Sequence, residues 1–330
     1  MNTEKQNTTT DRKSILTNPE DIHCLIFHIM CLIAYGLAFW LYLHPEIAHI
    51  NNLGSRLAFV GASTLMLGWI SGVDVGVNFH NHVHRKIFHN QWLNRWVSRL
   101  WAFSGGWPGF FWEYHHLIVH HPNFMRSSDW TGPHFRTAEH FENIYRFAFL
   151  HWPWRYAYHL WQDFRKGSKG GYTGQQAIEE LAIFLVLWSI PFFIDPLMAL
   201  SLWVLPHYFA NVVIIATGMY VQHIGCMEPS KDHPYRHSVT FLSPFFNLTM
   251  FNIGYHIEHH TTPSLHWTLL PAYHARLKPD LIKDGAHVVP FGYYYWGIRL
   301  LLEPEKSAQV CGKFAAAQHP DYVLNAGDQT

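Results

Sequence analysis

Two stretches near the start of this 330-residue chain are too long and too apolar to lie on the outside of a soluble domain. Ile22–Leu43 is 22 residues without a formal charge, and residues 57–79 carry a single acid, Asp74. A helix rises about 1.5 Å per residue, so each of them reaches across a hydrocarbon core of ~30 Å. A second block comes much later, where residues 177–194 and 197–221 flank Asp195-Pro196, which reads as a tight turn between antiparallel helices. The segment 177–194 is the weaker span, because only residues 181–194 are uncharged and Glu179 and Glu180 stand in its first turn. A buried soluble helix is the alternative there; the 25-residue apolar run beside it favours a hairpin.

Basic residues set the expected orientation. Residues 1–21 hold three, the 44–56 loop one, residues 80–176 eleven and the chain after 221 eight, while the Asp195-Pro196 turn has none. The positive-inside rule then predicts an all-α integral membrane protein, a single domain over residues 1–330. Four transmembrane helices (22–43, 57–79, 177–194, 197–221) form two hairpins. Residues 1–21 are a polar tail that does not read as a secretory signal, and residues 80–176 and 222–330 form a cytoplasmic helical cap. Residues 101–112 (WAFSGGWPGFFW) are apolar but short and glycine-broken, and read as an interfacial or re-entrant piece. The mean hydropathy of −0.05 reflects dilution of the spans by this cap.

Equal counts of 23 basic and 23 acidic residues exclude an electrostatic nucleic-acid binder. Cys24, Cys31, Cys226 and Cys311 share no CxxC spacing, which argues against a disulfide scaffold or a thiolate zinc site. Histidine is the outlier: 27 residues, more than Lys and Arg together. His80, His82 and His84 follow the second span in HNHVH, and a continuing helix puts His80 and His84 on one face. His116, His120 and His121 give HxxxHH, with His115 adjacent; His256, His259 and His260 give HxxHH; His223 stands just after the fourth span. A lone histidine is usually surface or satisfied core, but three groups at i, i+3 and i+4 spacing are not a product of composition alone. Nine imidazoles exceed the three or four of a mononuclear zinc site and suit two metal ions with four or five ligands each. Nitrogen ligands alone admit Fe, Zn, Cu or Ni.

HNHVH, HHLIVHH and YHIEHH along a four-span chain resemble the three histidine boxes of the membrane fatty-acid desaturase superfamily. The flanks FHNHVHRKIFHNQWLNRW and NIGYHIEHHTTPSLHWTLLPAYHARL are similar to bacterial acyl-chain desaturases, and the resemblance runs over residues 80–277. It implies a non-haem di-iron centre that uses O2 and two external electrons to attack an unactivated C–H bond. It also implies a bacterial inner-membrane location with a cytoplasmic active site. By position, the two irons would take His80, His84, His116, His120, His121, His223, His256, His259 and His260, with His82 and His115 in reserve. In animal acyl-CoA desaturases an Asn one turn before the equivalent of His223 holds a metal-bound water; here Met219 stands there, and Asn252 and Asn78 are the possible substitutes.

Acids are expected to hold ligand rings by their second nitrogen, and Glu258 and Asp74 are nominated, with Glu113 a weaker third. A carboxylate at membrane depth normally has a partner or a role. Trp112, Tyr255 and Trp267 adjoin the boxes and are expected to line a tunnel for a fatty-acyl chain. Arg85, Lys86 and Arg95 could meet a carrier phosphate, although anchoring at the membrane surface explains them as well. No HPGG, GxGxxG or P-loop occurs, so electrons are expected from an external donor such as ferredoxin. The third box begins with His256 rather than Gln, against the front-end subgroup. Desaturation leads; hydroxylation, acetylenation and olefin-forming decarboxylation start from the same C–H cleavage. A membrane zinc lipid hydrolase is the alternative of a different class, and a metal transporter the third.

Overall fold

The computed structural model describes residues 14–133, 142–167, 169–303 and 318–322. Most of the polar tail, and His134 and His140, fall outside them. Four helices are long and apolar enough to cross a membrane: α1 (Ile22–Leu43), α2 (Leu53–His84), α6 (Gly174–Ile194) and α7 (Pro196–His223). On α1, Ile26, Ile29, Met30, Ile33 and Leu37 point outward, a continuous apolar face that matches lipid and not water.

The helix ends follow local chemistry. Asn52 caps α2, its side chain accepting from Ser55 N at 2.9 Å while Ser55 Oγ accepts from the Asn52 backbone N–H, so α2 starts four residues before the apolar run. Asp195 closes the α6–α7 turn by accepting from Met198 N at 2.7 Å, and Pro196 opens α7. The weak span is a helix along residues 174–194, interrupted at Ser189, and the carboxylate of Glu180 in its second turn is met by Arg99.

The spine of the fold is the packing of α2 along α7. At Gly68 a Cβ would lie 2.7 Å from Phe209 Cδ1 and 2.8 Å from the Pro206 carbonyl oxygen, so hydrogen is the only side chain that this approach admits. Around the histidine-bearing ends of α2 and α7 lie α3 (Gln91–Gly105), α4 (residues 109–123), α5 (residues 144–165), α8 (Pro244–Thr249), α9 (His256–Thr261), α10 (Leu270–Asp284) and α11 (Tyr293–Leu302). Two short parallel strands, β1 (Val239–Phe241) and β2 (His287–Val289), pair with Val239 opposite His287.

Residues 101–112 differ from expectation. They are the last turn of α3, a left-handed Gly106 (φ 65°), and the start of α4. The glycine and proline break helix from helix. Asp74 explains why α3 sits where it does. Its fully buried carboxylate accepts from Trp101 Nε1 at 2.9 Å and Ser104 Oγ at 3.2 Å on α3, and pairs with His28 Nδ1 on α1 at 2.7 Å. One acid therefore ties three helices at membrane depth.

Candidate metal centre

The three boxes and His223 arrive from four separate stretches of chain and meet. Nε2 of His80 lies 3.0 Å from Nε2 of both His116 and His259, and Nε2 of His121 lies 3.1 Å from that of His116. With His84 these five rings each offer a nitrogen within 4.8 Å of the others. His120, His223 and His260 form a second such group. His256 joins it, its Nε2 being 3.1 Å from those of His223 and His260. The groups touch where the His121 and His260 rings stack, 4.6 Å between centroids.

Helix geometry decides which histidine enters which group. Residues His115–His120 form a π-turn, with the His121 amide donating to the His116 carbonyl five residues back. The extra residue per turn brings His116 and His121 onto one face and turns His120 to the other group. A regular α-helix would have paired His116 with His120. Another π-turn, Asp74–Phe79, precedes His80. Beyond it His80 and His84 follow at ordinary helical spacing, ring centroids 5.1 Å apart.

Nitrogen lone pairs crowded at 3 Å repel unless a proton or a metal cation sits between them, and the second nitrogens of three rings show where their protons are. Asp129 Oδ2 accepts from His120 Nδ1 at 2.8 Å, leaving His120 Nε2 buried and without a hydrogen-bond partner. His80 Nδ1 donates to the Gly76 carbonyl and His223 Nδ1 to the His237 carbonyl, each at 3.3 Å. These contacts fix tautomers that aim Nε2 inward. His84 Nε2 is likewise buried and unpartnered. Burial pushes His116, His121, His256, His259 and His260 well below the ordinary imidazole pKa, and charge on neighbouring imidazoles pushes the same way. These five rings therefore favour the neutral form, as a metal ligand must. Burial alone would raise Asp129, but His120 and the hydrogen bonds from Thr131 outweigh it and hold the carboxyl below its ordinary value. The donor set fits a pair of metal ions.

The remaining expected residues join neither group of imidazoles, although His115 and Trp112 border the cavity between them. His82 Nε2 meets Ser98 Oγ at 3.2 Å, and His115 Nδ1 meets the Tyr156 hydroxyl. Asp74 serves the helix junction described above and holds no ring of either group. Glu258 points away from them, accepting from Thr240 Oγ1 at 2.7 Å and pairing with His274 Nδ1 at 2.5 Å; His274 in turn meets the Tyr322 hydroxyl. Glu113 pairs with Lys86. Asn252 donates to the Trp267 carbonyl and Asn78 to Asp74, and neither borders the cavity that Met219 lines. Trp112 lines a cavity of about 50 Å³ bordered by His80 and His116 of one group and His120 and His256 of the other. Met219 and Gln222 line it too. Tyr255 packs on His274, and Trp267 on Phe251; neither borders this cavity.

Sequence reasoning missed Asp129 and Gln222. Asp129 is nine residues from His120, too far along the chain for a helical spacing rule, and only the turn through residues 124–129 brings it back. Gln222 was readable as the neighbour of His223.

Four apolar helices carrying two converging groups of buried imidazoles define a helical membrane protein with a site able to bind metal. The family model for fatty acid desaturases matches residues 55–292, and the chain belongs to that family of iron-using oxidoreductases. The match covers α2, all three boxes, His223 and both later spans. Among curated proteins none matches significantly.

Proposed function

We propose that this protein introduces a double bond into a fatty-acyl chain in an O2-dependent reaction at a di-iron centre. The observation that carries the reading is the division of nine buried or half-buried imidazoles into touching groups of five and four. His80, His84, His116, His121 and His259 hold one iron; His120, His223, His256 and His260 hold the other. Bound there, the irons supply the activation of O2 that cleavage of an unactivated C–H bond requires. Overall, two C–H hydrogens, O2, two electrons and two protons become a C=C bond and two water molecules. The electrons come from a separate donor such as ferredoxin.

The chain's own residues do the rest. Asp129, Gly76 and the His237 carbonyl orient three of the rings before any metal arrives. The narrow cavity bordered by both groups accepts the reacting methylenes; Trp112, Ile214, Ile215 and Ile253 make its wall apolar and exclude water. Gln222 offers an amide to that space, in the region where Met219 cannot hold a water. The boxes lie at the cytoplasmic side by the distribution of Lys and Arg.

Metal analysis of the purified protein should give two irons per chain, and one zinc would support a hydrolase instead. Lipid profiles of cells with and without expression should differ by an unsaturated acyl species formed only in air. A hydroxylated, acetylenic or terminal-alkene product would reassign the outcome, and product formed without O2 would sink the oxidation altogether. His259→Ala should remove that product while the protein stays in the membrane fraction.

A further inference from the structure

A second cavity, about 340 Å³ and sharing no lining residue with the histidine cavity, opens between α3, α4 and the start of α6. Its volume is that of a small-ligand site, on the order of 300–1,000 Å³. Its two ends differ in kind. Phe103, Ile183, Phe184 and Leu187 make one end apolar. The other end carries three cations, Lys86, Arg95 and Arg99, and three acids, Glu113, Glu179 and Glu180. Ile183 and Leu187 lie one and two helical turns beyond Glu179 on α6, so the apolar end runs ~10 Å along the span into the hydrocarbon region.

Most of these charges already have partners. Lys86 Nζ meets Glu113 at 2.8 Å, and Arg99 makes a two-pronged pair with Glu180 at 2.9 and 2.7 Å. One charge of each sign is left. Arg95 is exposed and forms no ion pair with any described residue. Glu179 accepts only from the amide of Gln175, at 3.0 Å, and does not pair with Arg95. A cleft presenting one free guanidinium, one free carboxylate and an apolar floor at a membrane boundary is complementary to a zwitterionic amphiphile.

We propose that this cleft is a specific site for an ethanolamine phospholipid. Arg95 takes the phosphate through charge-assisted hydrogen bonds, Glu179 takes the primary ammonium, and an acyl chain lies along Phe103, Ile183 and Leu187. A choline head group has no N–H to give Glu179, and a glycerol head group brings no cation at all. The site stands independently of the oxidation proposed above, since no histidine of either group touches it.

The full-length protein, purified in detergent and equilibrated with an equimolar mixture of phosphatidylethanolamine, phosphatidylcholine and phosphatidylglycerol, tests this by native mass spectrometry. Wild type should retain the ethanolamine lipid about three- to tenfold over each of the others, the discrimination expected of one charge-assisted hydrogen bond near water. Glu179→Gln should abolish the preference, and Arg95→Ala should lower retention of all three lipids because they share the phosphate; both positions are exposed, so the core stays intact. Ile183→Trp, which fills the apolar end, should abolish retention. Equal retention of the three lipids by wild type, a preference that survives Glu179→Gln, or retention unaffected by Arg95→Ala would overturn the proposal.

Discussion

Asp129 shows how much one side chain can contribute without being a ligand. Its carboxylate fixes the tautomer of His120, the only member of the second histidine box that faces the smaller group. Removing such an orienting partner typically costs about 10–100-fold in metal affinity. Asp129→Ala should therefore release iron to a competing chelator at a correspondingly lower chelator concentration, with Asp129→Asn falling between it and wild type because an amide oxygen still accepts from Nδ1. Unchanged retention in the Ala variant would show that His120 is held by packing alone. Asp74 makes the opposite point. An acid six residues before the first box looked like a partner for a ligand ring, yet it is spent on His28, Trp101 and Ser104. Breaking a buried pair of this kind leaves an uncompensated polar group and costs on the order of 3–5 kcal/mol. Asp74→Ala should therefore lower the melting temperature in detergent more than it lowers iron content per folded chain.

At the scale of elements, two features of helix geometry place the rings. The π-turn in the second box rotates His120 away from His116, so one short helix feeds both groups. The close crossing of α2 and α7 sets where His80 and His84 on one helix, and His223 on the other, enter their separate groups. That crossing depends on Gly68, where an added Cβ meets a backbone carbonyl that no rotamer change can move. Overpacking of this sort costs about 1–3 kcal/mol. Gly68→Ala should lower the melting temperature by several degrees. Gly61→Ala, two turns earlier on the same helix, where nothing lies within 4 Å, should leave it unchanged or raise it slightly. Equal effects of the two would remove the crossing as the reason for glycine.

For the whole molecule, the arrangement requires all three boxes to be on the same side of the bilayer, because α2 ends and α7 ends in histidine and each is preceded by a partner helix that crosses the other way. The Lys and Arg distribution predicts that this side is the cytoplasmic one. A reporter fused at the C-terminus should accordingly be active only inside the cell. An external signal would invert the topology while leaving the metal site whole.

The sequence by itself determined the four apolar helices, within about four residues at each end, because span length and charge exclusion are properties of consecutive residues. Hydrogen-bonded caps such as Asn52 and Asp195 then moved the boundaries only slightly. It also singled out the nine histidines as a set, with His82 and His115 left as alternatives, since box spacing is local. Tertiary structure alone decided their division into five and four, which turns on a helical irregularity that no residue pattern announces. It decided as well which acid touches which ring: Glu258 lies inside a box yet faces His274, while Asp129 lies outside every box and reaches His120. Contacts across a chain fold depend on where elements pack, and that information is spread over the whole molecule and is not written beside the residues that use it.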